Sequence, residues 1–162
     1  MKSGVPGVKD SEKLSPPQQF STSEAFVKEV SLETEPQKQL QHVLVVEDDP
    51  IILELLQDVL SNAGFKVLIA KNASDGLALF QNYADSTFCV ILDYGIPGMH
   101  ASRLLERFVE VDGDVRVILS SGYPQNFIGE DFPLERIAGF MAKPYDPQIL
   151  ISELARLKSE QK

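Results

Sequence analysis

The sequence is poor in cysteine and histidine. Among its 162 residues there are two histidines and a single cysteine, Cys89. One cysteine excludes an internal disulfide and fits a reducing compartment, so we expect a cytoplasmic protein. Because Cys89 lies within an apolar run, we expect a buried structural thiol rather than a nucleophile. The cysteine and histidines are far apart in sequence, which argues against a structural zinc site.

Long apolar runs and clusters of positive charge are also missing. No stretch approaches the roughly 20 apolar residues needed to span a bilayer. Residues 1–25 are polar and lack the apolar core of a signal peptide. The net charge of −9 argues against a nucleic-acid-binding surface, because phosphate contacts require clustered Lys and Arg. We therefore expect neither a membrane span nor a nucleic-acid partner.

The first 40 residues differ in composition from the rest of the chain. They are rich in Ser, Pro, Gln, Glu and Lys and contain few apolar residues. Such a segment buries too little apolar surface to offset the entropy lost on ordering. We predict a polar, disordered N-terminal extension over 1–40, with a short helix over Ser23 to Val30 that forms against a partner or the domain. Residues 41–162 are expected to form one folded domain.

Strand-like and helix-like segments alternate from His42 onward. The apolar runs predict five strands, over Val43–Glu47, Lys66–Ala70, Phe88–Asp93, Val115–Ser120 and Gly139–Ala142. Helical spacing of apolar residues lies between most of them, with Asp49 and Asp146 as caps before prolines. Glycines and prolines between the last two strands predict a short, irregular helix there. The pattern predicts an α/β fold, a doubly wound parallel sheet with helices on both faces.

Carboxylates follow two of these predicted strands directly. Glu47 ends the first predicted strand and is followed by Asp48 and Asp49, and Asp93 ends the third. Ligands of parallel sheets bind beyond the carboxyl ends of the strands. Like charges brought together there need a compensating cation, and oxygen ligands at rigid positions favour Mg²⁺. Asp49 is expected to act mainly as a helix cap.

Ser120 ends the fourth predicted strand and Lys143 follows the fifth, so both should lie at the same edge. A carboxylate beside a metal ion can attack phosphorus and form an acyl phosphate. The phosphoryl oxygens then need hydrogen-bond donors and positive charge, which a hydroxyl and an ammonium group supply. The pattern therefore predicts metal-assisted phosphoryl chemistry at this edge.

The chain from His42 to about Lys158 resembles a receiver domain of the two-component response regulators. The matching pieces are Val46-Glu47-Asp48-Asp49, Asp93 followed by Pro97-Gly98-Met99, Leu119-Ser120-Ser121-Gly122, and Lys143-Pro144. Their order and spacing carry the resemblance, which covers about three quarters of the chain. It implies that 41–162 is a receiver domain with the flavodoxin-like strand order 2-1-3-4-5.

The resemblance also implies a phosphoacceptor and a metal site. Asp93 resembles the phosphorylated aspartate. Asp48 resembles a direct ligand of Mg²⁺ or Mn²⁺, together with Asp93 and the backbone carbonyl of Gly95. Glu47 resembles the acid that acts on the metal through a water molecule.

Further residues resemble the family's phosphoryl-binding and switch positions. Ser120 matches the switch hydroxyl, with Ser121 as the alternative. Lys143 matches the phosphoryl-binding lysine and is expected to precede a cis peptide bond to Pro144. Phe140 falls where an aromatic side chain turns inward on activation. Phosphorylation would draw the serine toward the phosphoryl group and vacate space for this ring.

The resemblance implies a phosphorylation-dependent signalling switch rather than an enzyme, with at most self-phosphorylation and autodephosphorylation. Its expected donor is a histidine kinase or a histidine phosphotransfer protein, and its output a protein–protein contact with no attached output domain. A stand-alone regulator, a receiver from a hybrid kinase and a homodimer all fit the sequence. Alternative functions are a metal-dependent phosphatase with an aspartate nucleophile, a flavin mononucleotide binder and a scaffold pseudo-receiver. Gly95 argues against the phosphatase, because such enzymes usually carry a second aspartate there.

Overall fold

The computed structural model describes residues 41–161. Its elements are β1 (His42–Val46), α1 (Pro50–Asn62), β2 (Lys66–Ala70), α2 (Ala73–Tyr83), β3 (Thr87–Asp93), α3 (Ala101–Val111), β4 (Val117–Ser121), β5 (Gly139–Ala142) and α4 (Pro147–Ser159). Three short 3-10 turns complete them, at Ala84–Ser86, Gln125–Phe127 and Leu134–Arg136. The predicted extension over 1–40, with its helix at Ser23–Val30, lies outside the described residues. Within 41–161 no helix is both long and apolar enough to cross a bilayer.

The five strands form one parallel sheet in the order β2-β1-β3-β4-β5, which confirms the predicted order. In the centre, Val46 of β1 pairs with Leu92 of β3. Asp93 pairs with Ser120 of β4, so the ends of the two strands lie side by side. The sheet therefore brings the polar residues that follow the strands to one edge.

Each face of the sheet is covered by two helices, because successive side chains of a strand point to opposite faces. One face packs on α2 and α3 through the buried residues Leu44, Val46, Phe80, Val90, Leu92, Leu104, Phe108, Val117 and Leu119. The other face packs on α1 and α4 through Val43, Val45, Leu56, Leu60, Cys89, Ile91, Ile118, Met141, Leu150 and Leu154. The predicted doubly wound architecture is confirmed, and Cys89 is buried as expected.

Both predicted aspartate caps are present. Asp49 Oδ1 accepts hydrogen bonds from the Ile51 and Ile52 amides at 2.8 and 3.4 Å. Asp146 Oδ1 accepts one from the Gln148 amide at 2.8 Å. Each cap satisfies an amide that has no partner within its helix. The caps fix where α1 and α4 begin, immediately beyond the strand ends that carry the polar cluster.

The structure shifts the bounds of three predicted strands. β3 begins at Thr87 rather than Phe88, and β4 ends at Ser121 rather than Ser120. β1 runs one residue earlier than predicted, although the Glu47 amide still donates to the Ala70 carbonyl at 3.0 Å. β4 begins at Val117 rather than Val115, because Val115 donates its amide to the Asp112 carbonyl in a turn. Between β4 and β5 the chain forms two 3-10 turns instead of a long helix, as the glycines and prolines there predicted.

Candidate functional site

The Lys143 ammonium group lies between two carboxylates at the carboxyl edge of the sheet. Its Nζ is 2.7 Å from Glu47 Oε2 and 3.0 Å from Asp93 Oδ1. Glu47 follows β1, Asp93 ends β3 and Lys143 follows β5. Three separate strands therefore contribute to one charged contact, and the peptide bond from Lys143 to Pro144 is cis, as expected.

The Glu47 carboxylate is fixed by its own backbone turn. Its Oε1 accepts hydrogen bonds from the amides of Asp48 and Asp49, each at 3.1 Å. Only 1% of the residue is exposed, so these amides and Lys143 replace the water that a free carboxylate would bind. The turn between β1 and α1 therefore holds this charge in a defined place.

Glu47, Asp48 and Asp93 form an acidic cluster. Each offers a carboxylate oxygen, and these oxygens lie within 4.8 Å of one another. Asp48 is exposed, whereas the other two are buried. One lysine cannot balance three carboxylates, and a set of oxygen donors on rigid strand ends suits a hard divalent cation such as Mg²⁺. The donor set therefore fits the metal that the sequence predicted.

The pKa of the Lys143 ammonium is raised. Burial acts to lower this pKa, but hydrogen bonding and the negative charges of Glu47 and Asp93 outweigh burial. Lys143 is therefore a permanent positive charge at neutral pH, placed against Asp93.

The two candidate serines point to opposite faces of the sheet. Ser120 pairs with Asp93 across β3 and β4, and neighbouring residues in such a pair share a face. Its hydroxyl bonds to the Tyr145 hydroxyl. Ser121 lies on the opposite face, where its Oγ accepts a hydrogen bond from the Tyr123 amide at 2.9 Å. Both serines are fully buried.

Phe140 lies on the same face as Ser121. It pairs with Leu119 in the sheet and packs against the core on the α2 and α3 side. The side chain is half-buried. The structure therefore separates Phe140 and Ser121 from the face that carries Asp93, Ser120 and Lys143.

Sequence reasoning missed Tyr145. Desolvation by burial raises the pKa of this phenol to about 12, although its hydrogen bond to Ser120 acts in the opposite direction. The sequence offers no clear signal for it, because Tyr145 lies beyond the end of β5, where a tyrosine is ordinarily a packing residue. The phenol therefore lies beside the charged cluster as a neutral hydrogen-bonding group at ordinary pH.

An open pocket of about 520 Å³ lies beside the loop that follows Asp93. Tyr94, Gly95, His100 and Tyr123 are among the residues that line it. A Cβ atom added at Gly95 would lie 3.6 Å from Asp93 Oδ2, so this glycine is next to the carboxylate. The absence of a side chain there leaves that approach to Asp93 uncovered.

Comparison with known proteins identifies a family for most of the chain. Residues 43–155 match the model of the response regulator receiver domain. The chain is 31% identical to sporulation initiation phosphotransferase F of Bacillus subtilis, over 65% of this chain and 84% of that protein. It is 34% identical to the transcriptional regulatory protein AruR of Pseudomonas aeruginosa, over 71% of this chain. The match spans 48% of AruR, about half of its length.

Solved structures share the fold. A CheY-like receiver domain from Methanospirillum hungatei is 27% identical, with a TM-score of 0.64 over 75% of this chain and 98% of that one. CheY of Borrelia burgdorferi, in its complex with CheX, has a TM-score of 0.67 over 73% of this chain and 89% of that one, at 22% identity. With the family match over residues 43–155, these comparisons show that the chain belongs to the response regulator receiver domains of two-component signalling.

Proposed function

We propose that this protein is a phosphorylation-dependent switch whose Asp93 accepts a phosphoryl group from a histidine kinase or a histidine phosphotransfer protein. The observation that carries the proposal is the placement of Asp93. Its carboxylate is 3.0 Å from the Lys143 ammonium and belongs to a cluster of three carboxylates. A phosphoryl group on Asp93 would meet positive charge there and a place for a divalent cation.

The transfer step is a displacement at phosphorus. An Asp93 oxygen attacks the phosphorus atom and forms an O–P bond, while the P–N bond of the phosphohistidine donor breaks. The departing imidazole nitrogen keeps the electron pair and takes up a proton from water. The product is an acyl phosphate on Asp93 and a neutral histidine on the donor.

The metal ligands follow from the acidic cluster. Asp48, Asp93 and the Gly95 carbonyl would hold Mg²⁺ or Mn²⁺ directly, and Glu47 would act through a water molecule. When bound, the cation neutralises charge on the phosphoryl oxygens. Glu47 also fixes Lys143, since its carboxylate lies 2.7 Å from Nζ. Lys143 would then contribute the second positive charge to the phosphoryl group.

A switch serine is expected both to contact the phosphoryl group and to affect the position of Phe140, and each of the two serines is placed for one of these roles. Ser120 is the sheet neighbour of Asp93 and is our first candidate for the hydroxyl that meets the phosphoryl group. Ser121 shares a face with Phe140, so its movement would more directly vacate space for that ring. Separate Ser120→Ala and Ser121→Ala variants distinguish them: loss of the Phe140 response on activation identifies the switch serine.

Signalling would proceed through protein–protein contact at a surface that changes on phosphorylation. The half-buried Phe140 lies on β5, at the edge of the sheet, where a change of its position would reach the surface. A two-state surface biased by a local charge change is sufficient for such a signal.

Beryllofluoride with Mg²⁺ tests the proposal, because it forms a phosphoryl mimic on a suitable carboxylate. We expect amide NMR signals around Asp93 and Phe140 to shift in the wild type and in Asp112→Asn, a control outside the acidic cluster. Asp93→Asn should show no response to beryllofluoride. A response that survives in Asp93→Asn, or sustained hydrolysis of a generic phosphomonoester by the wild type, would contradict the proposed role.

A further inference from the structure

Two bonds fasten the turn that carries Lys143 to the end of β4. The Lys143 amide donates to the Ser121 carbonyl at 2.8 Å. Two residues later, the Tyr145 hydroxyl bonds to the Ser120 hydroxyl. The two hydrogen bonds lie on either side of Pro144, and their partners are the adjacent residues Ser121 and Ser120 of β4. The turn is therefore held by its backbone at one point and by a side chain at the other.

The environment of Tyr145 suits a lasting hydrogen bond. Its ring packs against the core between the sheet and helices α1 and α4. The Ser120 hydroxyl is fully buried, so little water competes for it. Burial raises the pKa of the Tyr145 phenol to about 12, which keeps its proton in place at neutral pH. Either hydroxyl can act as the donor, and the bond needs no charged partner.

Lysine by itself does not fix the position of its charge. Its ammonium group is a point charge on a flexible stem of four carbons. Here Nζ must lie within 3.0 Å of two carboxylates at the ends of different strands. The flexible side chain can keep Nζ in this position only if the backbone of Lys143 is itself held in place. A displacement of about 1 Å of a group that acts on the reacting atoms can lower the reaction rate strongly.

We propose that Tyr145 is a positioning residue whose hydroxyl, through Ser120, clamps the Lys143 turn to β4 and so holds the Lys143 ammonium against Asp93. The inference rests on the proposed phosphoacceptor role of Asp93. It assigns to Tyr145 a role in phosphoryl retention without contact with the phosphoryl group. If Ser120 is also the switch, Tyr145 must donate the bond between them, because the single Ser120 proton is then needed by the phosphoryl group.

Affinity for beryllofluoride in the presence of Mg²⁺ tests the clamp in the full chain. Tyr145→Phe removes one hydroxyl and keeps the ring. We expect binding to weaken roughly threefold to tenfold, the effect of losing one neutral hydrogen bond. Tyr83→Phe makes the same chemical change on α2, outside the charged cluster, and should leave the affinity unchanged. An unchanged or tighter affinity in Tyr145→Phe would overturn the clamp.

Two backgrounds show whether Tyr145 acts through the proposed chain of contacts. In Ser120→Ala the hydroxyl partner is gone, so adding Tyr145→Phe should change the affinity by less than about twofold. In Lys143→Met the charge to be positioned is gone, and the same small change is expected. A full threefold to tenfold loss in either background would refute the route from Tyr145 through Ser120 to Lys143.

The ¹⁵N NMR signal of the Lys143 ammonium gives a second measurement that does not need beryllofluoride. An ammonium held between two carboxylates exchanges its protons slowly, and we expect its signal to be visible in the wild type and in Tyr83→Phe. Tyr145→Phe should broaden it. A signal equally sharp in Tyr145→Phe would overturn the clamp, whereas failure of wild-type beryllofluoride binding would instead reject the phosphoacceptor role.

Discussion

Replacing Lys143 by Met should destabilise the fold and, at the same time, increase the stabilisation that Mg²⁺ provides. The substitution keeps a stem of similar length and removes the charge. Glu47 is then left as a carboxylate that is only 1% exposed and has lost its cation. Asp93 loses the same partner, so the repulsion within the acidic cluster is no longer offset by lysine.

The size of the effect follows from the contacts that remain. Removing one partner of a buried ion pair costs about 3–5 kcal/mol. Here the cost should be smaller, because Glu47 keeps two amide hydrogen bonds and the Lys143 side chain is 19% exposed. We expect the free energy of unfolding to fall by about 2–3 kcal/mol. For a domain of this size that corresponds to a Tm lowered by roughly 6–12 °C.

Urea and thermal unfolding, each with and without Mg²⁺, measure both effects. Adding Glu47→Gln to Lys143→Met should restore part of the lost stability, because a neutral amide does not need the cation. Lys66→Met, an exposed lysine at the start of β2, is the control and should unfold like the wild type. If Lys143→Met unfolds within about 0.5 kcal/mol of the wild type, or if Glu47→Gln adds to the loss, the ion-pair account is wrong.

The same ion pair predicts a pH dependence. The pKa of Lys143 in the folded protein is raised above its ordinary value of 10.5 by Glu47 and Asp93, against the effect of burial. Its contribution is therefore fully present below 10.5 and is lost as the pH rises through the folded-state pKa. The stability difference between the wild type and Lys143→Met should be constant from about pH 7 to 9 and shrink at higher pH. A difference that grows above pH 10.5 would contradict this sign.

Three further predictions concern Gly95, Asp49 and Cys89. Gly95→Asn should lengthen the lifetime of phospho-Asp93, measured by loss of label, because a side chain there would shield the acyl phosphate from water; a shorter lifetime would oppose this view. Asp49→Ala should lower the free energy of unfolding by about 1 kcal/mol in urea, since α1 loses its cap, and an unchanged midpoint would deny the cap a stabilising role. Burial raises the pKa of the Cys89 thiol to about 12, so a thiol reagent should label Cys89 only after unfolding, and rapid native labelling would disprove its burial.

The fold was largely predictable because its signals are local. β2 and β5 have the bounds that their apolar runs predicted, over Lys66–Ala70 and Gly139–Ala142. The irregular segment between β4 and β5 followed from its glycines and prolines. The start of β4 was placed too early, because apolar character does not reveal that the Val115 amide is used in a turn with Asp112.

The candidate site was predictable in its members but not in its contacts. Carboxylates and a lysine at strand ends can be read from the sequence, and parallel strands bring them to one edge. The sequence does not show that Glu47 pairs with Lys143, because this contact depends on how the turn before α1 directs the carboxylate inward. It also does not show that Tyr145 occupies the Ser120 hydroxyl, since a tyrosine after a strand is ordinarily a packing residue.

The most direct test of the central claim is to locate the phosphoryl group. The protein is incubated with a small phosphodonor and Mg²⁺, the acyl phosphate is reduced with borohydride, and the modified residue is mapped by mass spectrometry of its peptides. Reduction converts an aspartyl phosphate to homoserine, so the account predicts homoserine at position 93 alone and none in Asp93→Asn. Homoserine at Asp48 or 5-hydroxynorvaline at Glu47 instead, or no modification of the wild type under conditions that label an active receiver domain, would contradict it.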